Sequence, residues 1–512
     1  MKKMIALLLS AVLMAGLFSG CNTKKDAYIP TGDGLTWDDD VTPTSPVTEQ
    51  KMTLPYFPDR GLNPYKTADY VNQNIFDLIY QSLFAVDADY NVYPILCKNY
   101  TVSKDMKTYT FYPQAATFPD GDVLTAEDVA ASLKAAKDSD VYGGRFDHVK
   151  AVAVSSDGGV TVTLSTPYEN FPILLDVPIL KQSQIEAERP LGTGPYLYET
   201  YNGTVRLRRR TDWWCAAVLP VAAEHIDLLE GENPAHLRDE FEFSGLGLVT
   251  ADPGSTSYVD FHSDYEVWDS ENGIFLYLGC NSKSTVLSNQ TVRAALTYAI
   301  DRDALVENYY RGFAYSTVLP ASPQSPWYSD SLAQKYGYDP AKLTQAVTDA
   351  GLEGAELTLL VNTDDGIRLR AARVIAQMLS QCGLKVTTSE KDGKGYLSAL
   401  KSKSYDLYLG QTRLSANMDL SAFFDTKGSL NYGGMSNAAL YGLCLDALAN
   451  SGNYYTLHQK VLEDGRLCPL LIRSYAVFAQ RGMFSDLTPA RDNVFFYHLG
   501  KSMEDALIIP ES

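Results

Sequence analysis

The sequence predicts an α/β protein, and three observations carry that prediction. Residues 356–411 alternate strand, helix, strand, helix, strand, a pattern that implies parallel strands joined by right-handed crossovers. The chain has 512 residues, which at roughly 150 per domain makes room for about three domains with real cores. Hydrophobic residues make up 45% and charged residues 21%, ordinary globular usage that excludes a mainly disordered chain.

The elements follow in chain order. Lys51–Phe57 reads as a short strand, and Val71, Ile75, Leu78, Ile79 and Leu83 recur at helical spacing across 70–86. Tyr109–Tyr112 reads as a strand, Phe118-Pro119-Asp120-Gly121 as a turn, and Thr125-Ala126-Glu127-Asp128 as a helix start. In that start the Thr125 hydroxyl accepts from the backbone three residues on, while Asp128 reaches back. Val160–Leu164 alternates as a half-buried strand does.

Within 356–411, Glu356–Asn362 reads as a buried strand. Ile367, Ala371, Val374, Ile375, Met378, Leu379 and Cys382 mark one face of a helix closed by Gly383. Leu384–Thr388 is the second strand, Tyr396–Lys403 a short helix, and Tyr405–Gly410 the third strand. Ligands of such open sheets sit beyond the carboxyl ends of the strands. The loops after Asn362 and Gly410, and above all Gln411–Asp419, are therefore the first place to look for a site.

The N-terminus reads as an address. Lys2 and Lys3 precede an apolar run, Met4–Phe18, shorter than the ~20 residues of a membrane span but suited to a signal-peptide core. Leu17-Phe18-Ser19-Gly20-Cys21 resembles a bacterial lipobox, with Phe18 where Leu is usual, so Cys21 is the expected lipid attachment site. Residues 21–48 hold Pro30, Pro43, Pro46 and the run Asp38–Asp40 with no regular period, a flexible spacer.

Charge and motif inventory exclude several classes. The net charge is −19, and no run of five or more Lys/Arg occurs, which argues against a nucleic-acid partner. The six cysteines beyond Cys21 (Cys97, Cys215, Cys280, Cys382, Cys444, Cys468) have no metal-type spacing and read as buried free thiols. No HExxH, GxSxG or GxxxxGK[ST] is present, so the residues point to no catalytic group, no metal and no cofactor.

Several blocks in fixed order carry a family resemblance. They are Leu62-Asn63-Pro64, Ile79–Leu83, Phe118–Gly121 with Leu124–Val129, Gly192-Thr193-Gly194-Pro195-Tyr196, and Val292–Arg302. Over residues 50–480 the chain resembles the extracytoplasmic solute-binding proteins of family 5, which serve oligopeptide, dipeptide and nickel ABC importers. The resemblance implies a two-lobed, type II periplasmic-binding-protein fold with an extra subdomain, its hinge-linked lobes closing on a ligand cleft. Lobe I is expected from 49–64, 181–272 and 479–512, the extra subdomain from 65–180, and lobe II from 273–478, behind a signal peptide at 1–20.

It further implies a lipid-anchored monomer on the outer face of the cell membrane, passing peptides to a permease driven by cytoplasmic ATPases. The alternatives keep the fold but change the solute to a metal chelate, haem or sugar, or replace transport by ligand sensing. The resemblance puts Tyr65, Thr67, Asp69 and Tyr70 beside the ligand and Tyr196 near the cleft. Peptide-binding relatives place a Trp and then an amine-binding Asp after the third strand. Aligning Asp419-Leu420 with the family's later Asp-Pro leaves Ala416 at the amine position, and a shift of three makes Asp419 the amine partner. Arg413 is a candidate for a ligand carboxylate, and Asn417 shares its loop. Gly192–Pro195, Asp120-Gly121 and Arg293 are expected to serve the fold.

Overall fold

The computed structural model describes residues 52–217, 221, 223–484 and 487–495. The expected signal peptide, Cys21 and the spacer lie outside the described residues. All of the described residues belong to the unit that begins at Glu49.

The predicted parallel block forms. Strand Glu356–Asn362 pairs in parallel with Lys385–Lys391 on one side and with Leu407–Arg413 on the other. Helices Gly366–Ser380 and Gly393–Ser402 make the crossovers. The first starts on Asp365, whose carboxylate accepts from the Arg368 backbone at 2.9 Å. Beyond its end Gly383 takes φ +92°, a conformation open to glycine. Period-two alternation sends Leu357, Leu359 and Val361 to one side, against Ile375 and Leu379, and Leu360 to the other, with Tyr408 and Leu400.

Among the boundaries that differ from expectation, two do so for clear tertiary reasons. The third strand, expected to end at Gly410, runs to Arg413, because Ile274–Leu276 of the neighbouring strand pair with Gln411–Arg413. Only the later part of the candidate segment is loop. The helix expected over 70–86 is Tyr70–Ile79, and Phe84–Val86 is a strand paired with Val92–Pro94. Just past the helix, the Ile79 and Gln81 carbonyls accept from Gly194 and Ile179 instead of continuing the helical ladder.

Two long antiparallel strands, Tyr265–Cys280 and Leu467–Gln480, form the spine of the seven-stranded sheet. At one end Leu467–Gln480 also pairs with Leu248–Ala251, and at the other Tyr265–Cys280 pairs with Leu407–Arg413. Their register shifts between Glu271 and Phe275, a bulge containing Gly273 at φ +69°.

A second sheet sets Met52–Tyr56 parallel to His225–Glu230, followed by Thr204–Arg209 and Tyr196–Tyr201. Helix Tyr70–Ile79 packs against Met52–Tyr56 and Tyr196–Tyr201. A third, antiparallel sheet of Cys97–Val102, Thr108–Pro113, Val160–Leu164 and Val149–Val154 is covered by helix Ala126–Asp138. That helix begins with the expected reciprocal cap: Asp128 N–H donates to the Thr125 hydroxyl and Thr125 N–H to the Asp128 carboxylate.

The residues expected to serve the fold do so. The Arg293 guanidinium donates to the carbonyls of Leu287 and Asp464 at 2.7 and 3.0 Å. Gly121 turns at φ +92°, with Lys181 paired to Asp120 and Asp122 on either side. All six described cysteines are buried and unpaired, and burial pushes the Cys97 and Cys215 thiols up to about 12.

Gly194 lies directly against the helix end, where an added Cβ would come 2.6 Å from the Ile79 carbonyl and 2.8 Å from the Leu78 oxygen. Gly194→Ala must push helix and loop apart, an overpacking cost of about 1–3 kcal/mol. The expected outcome in urea unfolding is a lower midpoint at unchanged slope.

Candidate functional site

The carboxyl end of the third parallel strand, Leu407–Arg413, borders a hollow of about 280 Å³, partly open to solvent. Its walls come from distant stretches of chain: Asp140–Asp147, Thr412–Leu430 and Arg491. Strand Leu407–Arg413 delivers Thr412 and Arg413 to the wall. A tight turn, Gly143–Phe146, delivers Arg145 from the opposite side.

A buried charge cluster forms the floor. Asp492 accepts from Arg413 through one carboxylate oxygen and from Arg145, at 3.3 Å, through the other. Arg145 also pairs with Asp176, and Arg413 donates to the Asn272 carbonyl at 2.9 Å. Burial opposes ionisation of Asp492, but Arg413, Arg145 and Arg491 outweigh it and hold the carboxyl far below the usual range. Asp176 goes the other way, pushed up by burial against the pull of Arg145. Behind this floor a second, small hollow of about 70 Å³ is lined by Asp77, Gln81, Asp176 and Asn493. Burial pushes the Asp77 carboxyl well up, and it accepts from the Val494 backbone at 2.9 Å.

Contacts cross from the antiparallel sheet and its flanking loops to the segment 417–451. Asp419 meets His148 Nε2 at 3.1 Å and also accepts from the Ser421 backbone and hydroxyl, each at 2.8 Å. Asn417, 1% exposed, bonds to the Tyr168 hydroxyl and accepts from Ser415. Glu169 accepts from Ser451 N–H and donates its own N–H to the Leu448 carbonyl, both at 2.7 Å.

Arg413 and Asp419 thus line the hollow, with Asn417 buried beside it. The other expected residues do not line it. Tyr65 donates its hydroxyl to the Pro178 carbonyl and packs edge-on against Tyr142, which does line the hollow. Thr67 closes its own loop on the Arg60 carbonyl. Asp69 caps helix Tyr70–Ile79, accepting from Val71 and Asn72, and pairs with Arg60. Tyr70 stacks on Tyr475 with ring centres 4.5 Å apart. Tyr196 is buried, its hydroxyl donated to the Ala223 carbonyl at 2.8 Å.

Sequence reasoning missed Tyr142, Arg145, Asp176, Gly273, Arg491 and Asp492. Each stands in an unremarkable local context, and only the fold gathers them. The one local hint is Gly143-Gly144 ahead of Arg145, where flexible backbone presents a charged side chain.

The family model of the bacterial extracellular solute-binding proteins, family 5 (middle region), matches residues 91–434. The glutathione-binding protein GsiB of Salmonella typhi is 28% identical over 348 residues, 65% of this chain and 67% of that protein. The ABC transporter substrate-binding protein CtaP of Listeria monocytogenes superposes with a TM-score of 0.71 at 20% identity, over 87% of this chain and 98% of that one. The oligopeptide-binding protein AppA of Bacillus subtilis, solved with a nonapeptide, gives 0.61 at 20% identity over 88% and 97%.

The geometry predicts two outcomes. Arg145→Met leaves Asp176 and Asp492 without their shared partner, and breaking such a buried pair costs about 3–5 kcal/mol, read as a lower urea midpoint. The second concerns pH. Burial opposes the charge on His148, but the Asp419 bond and the nearby Asp147 and Asp425 raise its pKa above the ordinary value. A raised folded pKa means that the pair's contribution is complete below the unfolded value of about 6.5 and fades as pH rises through the folded value. The stability difference between wild type and His148→Asn should shrink from pH 5.5 to 8.5; a constant difference would exclude a charged imidazole.

Proposed function

Because the chain belongs to the bacterial extracellular solute-binding proteins of family 5, we infer that it captures small peptides in the hollow between Arg145 and Asp419 and releases them to a permease. It is a solute-binding protein of an ABC transporter and has the two-lobed, type II fold of the periplasmic binding proteins. Proteins of this family are extracytoplasmic, and no helix among the described residues is long and apolar enough to cross a membrane.

The observation that carries the peptide reading is the presence of both signs of charge around one hollow. Arg145, Arg413 and Arg491 line it together with Asp147 and Asp419. A peptide is a zwitterion, and both signs are met within a single hollow, where charge-assisted hydrogen bonds strengthen once a ligand displaces water. The relatives support the reading: GsiB is named for glutathione, and AppA was solved with a nonapeptide. In this reading a ligand ammonium takes the place of His148 against Asp419, which keeps its two bonds to Ser421. Closure of the lobes then buries the peptide and presents the surface that a permease distinguishes from the open form.

Export and tethering complete the proposal. Cleavage before Cys21 and lipidation of that cysteine place the body outside the cell on a spacer, and two or more acyl chains hold it there stably.

Native mass spectrometry of the purified protein, followed by denaturation, identifies what it retains. Peptides of a narrow length range are expected; a metal chelate, haem or sugar would replace the peptide reading. The same spectra report whether Cys21 carries a diacylglyceryl group. Asp419→Asn should weaken binding of reduced glutathione or a retained peptide about tenfold in calorimetry, the scale of one charged hydrogen bond. Unchanged affinity removes Asp419 from the amine role.

A further inference from the structure

Arg491 is the one arginine of the hollow with buried donors that the described residues leave without an acceptor. Its side chain is 6% exposed, and only one nitrogen is engaged, Nη2 with the Leu414 carbonyl. Nε and Nη1 have no acceptor. Two acids stand near it. Asp492 is 3.9 Å from Nε, beyond hydrogen-bonding reach and already shared by Arg145 and Arg413. Glu271 is an electrostatic neighbour, but its two oxygens accept from the Tyr90 and Ser322 hydroxyls. A buried guanidinium with unmet donors is costly and normally finds an anion.

The backbone is shaped for this group. A Cβ on Gly273 would lie 2.3 Å from the Arg491 guanidinium carbon, so the left-handed glycine of the bulge clears the space that the guanidinium fills. The next residue back, Asn272, is 1% exposed. Its side-chain oxygen accepts from Ile274 N–H at 3.0 Å, which turns Nδ2 away as a second unpartnered donor. Two free guanidinium nitrogens thus belong to a side chain seated against Gly273, the neighbouring Asn272 keeps a free amide nitrogen, and Arg491 lines the hollow.

We propose that Arg491, seated in the gap left by Gly273, is the anion subsite of the hollow and takes a carboxylate of the transported solute. The inference deepens the peptide reading and rests on it for the identity of the solute, though not for its charge. A solute that meets Arg491 must bring the carboxylate with it, so solutes with that group blocked are selected against.

The test measures thermal protection and calorimetric affinity of the full chain with trialanine, trialanine amide, reduced glutathione, succinate, succinamide and inorganic phosphate, each at millimolar concentration. Wild type, Arg491→Met and Arg491→Lys are compared. The expected result is protection by the free acids, a loss of about tenfold or more in affinity on amidation, the same loss in Arg491→Met, and partial recovery in Arg491→Lys. The acid–amide comparison on wild type stands even if Arg491→Met fails to fold. Equal binding of trialanine and its amide overturns the inference and leaves the peptide reading standing. Binding of succinate but of neither peptide upholds the inference and removes the peptide reading. Protection by phosphate alone overturns the carboxylate assignment, and no protection by any probe overturns both.

Discussion

The Asp492 carboxylate holds the site together. It lies in the last described stretch of chain and is gripped by Arg413 from the seven-stranded sheet and Arg145 from the turn beyond helix Ala126–Asp138. Three segments far apart in sequence thereby meet at one buried anion. Burying a carboxylate is expensive, and here the expense is offset because each oxygen has its own guanidinium. Arg145 in turn reaches Asp176, so the loop that closes the antiparallel sheet is fixed by the same network. Such a network positions more than it stabilises: well-packed apolar side chains could give as much stability, but not a polar floor.

The strand bulge at 271–275 explains why the site lies where it does. The long strands Tyr265–Cys280 and Leu467–Gln480 carry the chain from the side of Leu248–Ala251 to the parallel block. Their ladder is interrupted where Arg413 takes the Asn272 carbonyl and Leu414 N–H takes the Gly273 carbonyl. A flat ladder would use those carbonyls strand to strand. The bulge turns them toward the end of the third parallel strand.

Legibility in the sequence tracks the range of the interactions. The block 356–411 and the Thr125–Asp128 cap are readable because neighbours along the chain determine both, through alternation in one case and a three-residue reciprocal bond in the other. Gln411–Arg413 reads as loop because its pairing partner, Ile274–Leu276, is well over a hundred residues away and leaves no local trace. Arg413 and Asp419 emerge from the rule that ligands sit beyond strand ends, and both line the hollow. Arg145, Asp176, Arg491 and Asp492 escape for the same reason as the strand end. An arginine beside an aspartate in sequence reads as solvated surface until the fold buries it, as it does Arg491-Asp492. The aromatic candidates show the converse: Tyr65 and Tyr196 carry hydroxyls suited to a ligand, but both donate to backbone carbonyls.

The charge balance of the chain sharpens what the arginines can do. With a net charge of −19, the protein as a whole repels an approaching anion, and three guanidiniums do not reverse that at a distance. At physiological ionic strength, fields fade over about 8 Å, so a solute at the mouth of the cleft senses mainly what lies close by. In the proposed reading, recognition by Arg145, Arg413 and Arg491 is therefore a contact effect, felt once water is displaced and the effective dielectric falls. Exposed acids outside the hollow slow the capture of anions without weakening the final complex, whereas any change at Asp492 alters how many of the guanidinium donors remain free. On that reading, selectivity is a matter of how long a solute stays, set by the few buried donors, and the surface charge governs only how often one arrives.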